Sequence, residues 1–385
     1  MQPVAAPHSL VRQHLIDPET CIRCNTCETR CPTKAIRHDR NYVVDPALCN
    51  ACMRCVRPCP TGAIDHWFNL DRPYSVEEQL RWTALPDLPV EAAAVPVAVD
   101  AEAAETMAPG RAPTSASPPR VNAFSRANAA AATVSGNARI TGEGASNDVR
   151  HIILEFDTVP FTYLEGQSIG VIPPGVDRDG RPHAMRLYSI ASARDGERPN
   201  TNNLALAVKR IVQTDEAGHE VRGVASNWLC DLQLGDRIEV VGPFGATFLM
   251  PDDPDADLLM ICTGTGVSPF RGFTHRRRRT FPNARGKLIL IYGARSPEEL
   301  PYFGPLQKYV QTELHRELVY SRAQSEKEYV QDRLRSHPRE VAGLLRSDNS
   351  YIYVCGLRGV EDGVEAALSD IATQTLCRHP PSMVI

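Results

Sequence analysis

The chain contains no apolar run of about 18 or more residues, so no transmembrane helix is expected. Its first residues, MQPVAAPHSLVRQH, lack the basic start and long apolar stretch of a signal peptide, which makes a cytoplasmic location the default expectation. Net charge is only -4 over 385 residues, too little to favour nucleic acid or a membrane surface as a partner, and a homodimer stays open. No acid–base triad is evident, and nothing resembles a di-iron or coenzyme A site. The remaining proportions, 42% hydrophobic and 23% charged, are those of a soluble globular protein, and the length suggests two to three domains.

Cysteine is the one residue type in clear excess. Eight of the 12 fall between Cys21 and Cys59, while Cys230, Cys262, Cys355 and Cys377 are scattered. A disulfide framework belongs to small exported proteins, so clustered thiols in a long chain without an export signal read as metal ligands. Residues 84–135, by contrast, are Ala/Pro-rich and aromatic-poor. Such a stretch cannot bury enough apolar surface to offset its ordering entropy and reads as a linker, with an Ala helix over 91–107 as the weaker alternative.

After the linker, HIILEF (151–156) and LALAVKRIV (204–212) alternate as strands do. Further on, DLLMIC (257–262), KLILIYGA (287–294), LVYS (318–321) and YIYVC (351–355) alternate with helical patterns, the rhythm of a parallel α/β sheet. The expected organisation is α+β and multidomain: a cysteine-rich domain over 1–83, the linker over 84–135, a β-rich domain over 136–250 and a doubly wound α/β domain over 251–385.

The cysteines form a repeat. DPETCIRCNTCETRCPTKAI begins at Asp17 and DPALCNACMRCVRPCPTGAI at Asp45, each carrying C-x2-C-x2-C-x3-C-P. Three closely spaced thiolates on one loop can wrap three corners of an iron–sulfur cube. Structural zinc, the alternative, favours pairs of C-x2-C and has little use for a third cysteine so close by. The spacing resembles that of bacterial two-cluster ferredoxins, where the fourth cysteine of each run ligates the other cluster. That resemblance assigns Cys21, Cys24, Cys27 and Cys59 to one [4Fe–4S] cluster, and Cys49, Cys52, Cys55 and Cys31 to a second. Pro32 and Pro60 would turn the chain out of each loop. One departure is charge: residues 1–83 hold ten Lys/Arg against nine Asp/Glu, where small ferredoxins are usually acidic.

RLYSIAS (186–192) offers an Arg fork for a phosphate, a Tyr ring for a flat heterocycle and a Ser hydroxyl for a ring nitrogen. GVASNWLCDL (223–232) offers successive backbone amides at a helix start, suited to a pyrophosphate. Thr263-Gly264-Thr265-Gly266 follows a strand and opens a helix, again presenting amides to a diphosphate. Ser321, Arg322, Lys327 and Tyr329 suit a ribose 2′-phosphate and an adenine ring, which predicts NADPH rather than NADH. Arg276–Arg279 read as a solvated helix face, with docking of an acidic partner as runner-up, and Cys230 and Cys377 as packing.

In this order and spacing, the segments over about 139–372 resemble the plant-type ferredoxin–NADP reductase family. The resemblance implies an antiparallel β-barrel for FAD and a doubly wound domain for NADPH. By it, Arg186 contacts the FAD phosphates, Tyr188 packs on the flavin ring beside Leu187, and Ser189 lies near flavin N5. Gly223, Val224, Ala225 and Ser226 cradle the pyrophosphate, with Lys209 among the cofactor-binding candidates. Cys355, followed by Gly356, sits beside the nicotinamide, which makes Ser189 and Cys355 the catalytic candidates. Two family features are absent: the adenine-stacking Tyr is Gln213, and the terminal Tyr is missing from CRHPPSMVI.

A flavin can link a two-electron nicotinamide to a one-electron cluster. RQHLIDPETCIRCNTCETRCP and WFNLDRPYSVEEQL, with the order ferredoxin, linker, reductase, resemble the reductase components of benzoyl-CoA 2,3-epoxidases. That resemblance implies a separate di-iron oxygenase component as electron acceptor. A diaphorase-type subunit of another complex and a non-catalytic redox sensor are the competing expectations.

Overall fold

The computed structural model describes residues 11–18, 21, 25–56, 59, 63–64, 67–82, 85–86, 112–113, 115–177, 180–215, 218–323, 327–356 and 358–375. They fall into two compact units, Met1–Met107 and Ala108–Ile385. Most of the expected linker, and with it the alternative Ala helix, lies outside the described residues.

The first unit is small. Strand β1 (Val11–His14) pairs antiparallel with β4 (Trp67–Leu70), and β2 (Ile36–His38) with β3 (Tyr42–Val44). Between them sits the short helix α1 (Thr26–Arg30), and α2 (Val76–Leu80) follows β4. Sequence explains where α2 starts: Ser75 and Glu78 form a capping box, each side chain accepting from the other's amide. Buried Gln79 then fastens α2 to β3, donating to Val44 O at 2.8 Å and accepting from Val44 N at 3.1 Å.

The second unit contains two sheets. One is antiparallel, built from β5 (Ala130–Arg139), β6 (Val149–Glu155), β7 (Ser168–Val171), β8 (Arg186–Ser189), β9 (Asn203–Lys209) and β12 (Arg237–Phe244) in the order β8-β7-β12-β5-β6-β9. A bridge between Ile190 and Leu206 joins its two edges, so the sheet curls onto itself. The hairpin β10 (Val212–Thr214) and β11 (Glu220–Arg222) leads into helix α3 (Val224–Asp231). The alternation in β5 is physical: Ala130, Ala132 and Val134 are buried, and the residues between them less so.

The other sheet is parallel, with order β15-β14-β13-β16 from β13 (Asp257–Thr263), β14 (Leu288–Ala294), β15 (His315–Tyr320) and β16 (Ser350–Cys355). Both its faces are covered, which explains the unbroken apolar run DLLMIC. Leu258, Met260 and Cys262 join one core with helix α4 (Val267–Thr280) and α5 (Phe303–Gln307); Leu259 and Ile261 join another with α6 (Val330–Ser336), α7 (Pro338–Arg346) and α8 (Arg358–Thr375). The two sheets meet at β9. Its Leu204, Leu206 and Val208 belong to the core of the curled sheet, while Ala207 packs into the core of the parallel one.

Two expectations need correction. The expected linker ends at 135, yet β5 begins at Ala130, and the preceding residues already pack. Phe124 exchanges backbone bonds with Gly242 at 2.9 Å and stacks on Phe161 with ring centroids 5.3 Å apart. One aromatic ring supplied the burial that the surrounding composition lacked. The basic run on α4 is only partly a solvated face: Arg278 is exposed, while Arg277 and Arg279 are bound. Buried Arg277 donates to Gly286 O at 2.9 Å and Ala256 O at 3.0 Å, and Arg279 pairs with Asp195 at 3.0 Å. Arg276 and Arg278 lie over the rings of Phe281 and Tyr309.

Candidate functional site

The thiols of the first unit converge. Cys31, Cys49, Cys52 and Cys55 line one cavity together with His14, Thr33 and Val44. Cys31 comes from the first repeat and the other three from the second, so the two copies interleave. Cys27 is buried with Cys55 in the unit's core, and Cys21 and Cys59 pack against it. Cys24 lies outside the described residues.

Electrostatics show what the cavity fits. Burial, and then the neighbouring Cys49, Cys52 and Cys31, push the Cys55 thiol up to about 12. Cys49 is raised by burial and by Cys31 and Cys52. Cys31 goes the other way: burial is outweighed by hydrogen bonds from the Thr33 hydroxyl and the amides of Ala35, Ile36 and Thr33. Four thiolates this close repel one another until cations stand between them. Among the described residues, no three His, Cys, Asp or Glu side chains converge on a single-ion site. An iron–sulfur cube spreads its ligands over separate corners, and the cavity's four-thiol donor set fits it.

In the second unit, RLYS is strand β8, at one edge of the curled sheet. Arg186 is exposed and, among the described residues, donates to the carbonyls of Ala184 (3.2 Å) and Met185 (3.0 Å) without an ion pair to a described carboxylate. Its charge is therefore available to a phosphate. Leu187, Tyr188 and Ser189 are half-buried. Burial, then the nearby Cys230 thiol, push the Tyr188 phenol up to about 12, so it stays neutral. Lys209 closes β9, paired with Val149.

Gly223 caps α3, leaving the amides of Val224, Ala225 and Ser226 in the first, unpaired turn. A Cβ at Gly223 would lie 2.9 Å from Ser226 Oγ and 3.1 Å from Ile211 Cβ. The Ser226 hydroxyl is turned inward. It accepts from Ile211 N at 3.2 Å and donates to Gly223 O at 3.3 Å, so only its amide remains for an anion. Asn227, missed in the sequence, donates to Ile211 O and Gly223 O, both at 2.8 Å, and accepts from Arg210 at 3.2 Å. Its signal was its place one turn past the glycine. Gln213 is exposed on β10.

Thr263 ends β13, and Gly264–Gly266 form a 3-10 turn that runs straight into α4. Gly264 has φ +55, in the left-handed region that favours glycine. A Cβ at Gly266 would lie 2.1 Å from the Cys355 carbonyl oxygen, and one at Gly356 would lie 2.9 Å from Thr263 Oγ1. The glycines thus let the ends of β13 and β16 close together. Tyr292 secures the turn, donating to Gly264 O at 2.8 Å, and Ser268 donates to Thr265 O at 2.7 Å. Cys355 pairs in register with Cys262, and burial pushes its thiol up to about 12. Cys230, read as packing, is buried against β9, its Sγ 3.7 Å from Val208 O.

Ser321 and Arg322 follow β15, held by bonds from their amides to Ala294 O (3.0 Å) and Arg295 O (2.9 Å). Arg322, Lys327 and Tyr329 are exposed, and Tyr329 caps the start of α6. The nearby carboxylates Glu317 and Glu328 are both paired with Arg333, at 3.0 and 2.8 Å. Cys377 lies outside the described residues. Among those described, no helix is long and apolar enough to cross a membrane.

Residues 14–37 and 42–65 match the 4Fe-4S binding domain, and residues 260–366 match the oxidoreductase NAD-binding domain. Over 263 residues, 66% of this chain and 72% of the relative, the chain is 41% identical to the cyanelle ferredoxin–NADP reductase of Cyanophora paradoxa. It is 39% identical to the chloroplastic leaf isozyme 2 of Oryza sativa subsp. indica, covering 62% of this chain and 68% of that one. Among solved structures, the ferredoxin–NADP+ reductase of Plasmodium falciparum aligns with TM-score 0.54 and 25% identity, over 65% of this chain and 92% of that chain.

Proposed function

Because the chain belongs to the ferredoxin–NADP reductase family, whose members are FAD- and NADP(H)-dependent oxidoreductases, and joins to it a 4Fe–4S module, we propose that it passes electrons from NADPH through FAD and two [4Fe–4S] clusters to a separate acceptor. The acceptor in this reading is a di-iron oxygenase component that epoxidises benzoyl-CoA. The single observation that carries the electron path is the four-thiol cavity of Cys31, Cys49, Cys52 and Cys55 in the same chain as the reductase unit. What supports the named acceptor is the sequence resemblance at both ends of the cluster module.

Residue roles follow the chemistry of each group. Arg186 and the amides of Val224, Ala225 and Ser226 hold the FAD diphosphate, and Tyr188 covers the ring. The turn Gly264–Gly266 presents amides to the NADPH diphosphate, while Ser321, Arg322, Lys327 and Tyr329 take its 2′-phosphate and adenine. Ser189 orients the reacting ring by a hydrogen bond. Cys355 stays a neutral thiol and shapes the nicotinamide pocket. When bound, the flavin supplies the exchange between a two-electron donor and one-electron acceptors. Nothing here needs a general base, which agrees with the missing triad.

Two experiments test this. Anaerobic protein should contain about eight irons, from two four-iron clusters, and one FAD. Bound zinc without iron would refute it. In reconstitution, benzoyl-CoA, O2, NADPH and the cognate oxygenase should give epoxide only when this chain is present. Equal product without it would remove the named acceptor and leave a general NADPH-dependent ferredoxin-type reductase.

A further inference from the structure

The segment after the flavin strand is held from both sides. Tyr163 shares a 2.7 Å hydrogen bond with Ser192 Oγ and one of 2.6 Å with Ala193 O. On the other side lies α4, the helix opened by the nicotinamide turn. It approaches so closely that a Cβ at Gly272 would lie 2.9 Å from Ser192 O. Arg271 donates to Ala191 O at 2.8 Å, two residues beyond Ser189, and forks onto Glu197 at 2.6 and 2.7 Å.

Glu197 is itself fixed. Its amide donates to Asn203 Oδ1 at 2.7 Å, and its carboxylate lies 3.4 Å from His151 Nε2. His151 Nδ1 is 2.7 Å from Tyr302 OH, and the Arg271 guanidinium stands 5.0 Å over the Tyr302 ring. Two turns further along α4, Arg279 binds Asp195 at 3.0 Å and the carbonyls of Gly196 and Glu197 at 2.7 and 2.9 Å. One helix face therefore grips the connection between β8 and β9 at two points.

We propose that Glu197 and Arg271 form a clasp that fixes the nicotinamide turn against the flavin strand, making Glu197 a positioning residue for hydride transfer. The proposal rests on the reading of β8 and Gly264–Gly266 given above. Arg271 lies five residues after Gly266 and touches the chain two residues after Ser189, so it links the two reacting ends by a short covalent path. The side chains of Arg271 and Glu197 are only 16% and 14% exposed, so water screens the pair weakly. Bidentate geometry fixes direction as well as distance. Removing one partner strands the other charge, and the helix must shift to solvate it.

The test uses the full holoprotein and the variant Glu197→Gln, which keeps shape and removes charge. Flavin reduction by NADPH is followed by stopped flow, alongside flavin content, the NADP+ dissociation constant and the nicotinamide–flavin charge-transfer absorption. The expected result is a reduction rate lower by about tenfold or more, because small misplacements of reacting groups are costly. NADP+ affinity should stay within about twofold, the charge-transfer band should weaken, and flavin content should hold. If Glu197→Gln does not fold, Glu197→Asp, which keeps the charge but shortens its reach, carries the same expectation. An unchanged reduction rate in a folded, flavin-loaded variant overturns the clasp, as does a loss accounted for wholly by weaker NADP+ binding. Wild-type protein that holds no flavin, or is not reduced by NADPH, overturns the functional reading and the clasp with it.

Discussion

The two units use cysteine in opposite ways. In the first, Cys27 and Cys55 are among the eight residues of the larger core cluster, and Cys21, Cys31, Cys49 and Cys59 pack around it. The proposed metal ligands are part of the core. In the second, the cores are mainly aliphatic and aromatic, Cys230 and Cys262 serve only as packing within them, and the proposed cofactor residues sit at strand ends and helix starts around them. A unit of the first kind cannot bury enough apolar surface alone and depends on what it ligates, whereas one of the second kind folds first and binds afterwards.

That contrast can be broken most directly by removing iron. Chelation under anaerobic conditions should unfold the first unit and spare the second. Limited proteolysis should leave a fragment beginning near Ala108 that still holds FAD and reduces dyes with NADPH. Simultaneous loss of both units in calorimetry would show that the two are one cooperative system.

Within the second unit, steric fit at the nicotinamide turn should matter next. Gly266→Ala places a Cβ against the backbone of Cys355, so strand or helix must move. With overpacking strain of ~1–3 kcal/mol, the KM for NADPH should rise about tenfold while flavin content stays unchanged. A comparable but nucleotide-selective effect is expected of Arg322→Ala. Loss of a charged hydrogen bond of ~1.5–3 kcal/mol should raise the KM for NADPH about tenfold and leave that for NADH within about twofold. Equal effects on both nucleotides would refute the phosphate role.

The mildest effect concerns pH. Burial raises the Cys355 thiol to about 12, and a raised thiol stays protonated until pH approaches that value. Steady-state reduction by NADPH should therefore show no thiol titration between about pH 7 and 9, where an ordinary cysteine would ionise. Alkylation of Cys355 should be slow at neutral pH and accelerate as pH rises; rapid alkylation at pH 7, seen by peptide mapping, would contradict the raised thiol.

Local chemistry was legible in the sequence because it is local. The cysteine repeat, the glycine turn and RLYS each occupy consecutive positions, and elements such as β13 and β16 follow from their apolar runs. What sequence could not supply was pairing across distance. Glu197 and Arg271 are 74 positions apart, and neither residue is unusual alone. Arg277 and Arg279 read as a charged surface because a run of cations gives no sign of the carbonyls that receive it. Phe124 likewise looked like part of a linker until Phe161 was seen beside it. The direction of the Ser226 hydroxyl was not legible either, since a serine in the first turn can bond either to a ligand or to its own chain.

The crossing of Cys31 into the second repeat's cavity has a consequence for how such a module changes over time. In the proposed ligand set neither twenty-residue copy is coordinatively complete by itself, so on that reading the repeats are not free to drift apart as independent duplicates do. A change at one fourth cysteine is felt in the sister copy, and inheritance of the pair becomes a single character under selection.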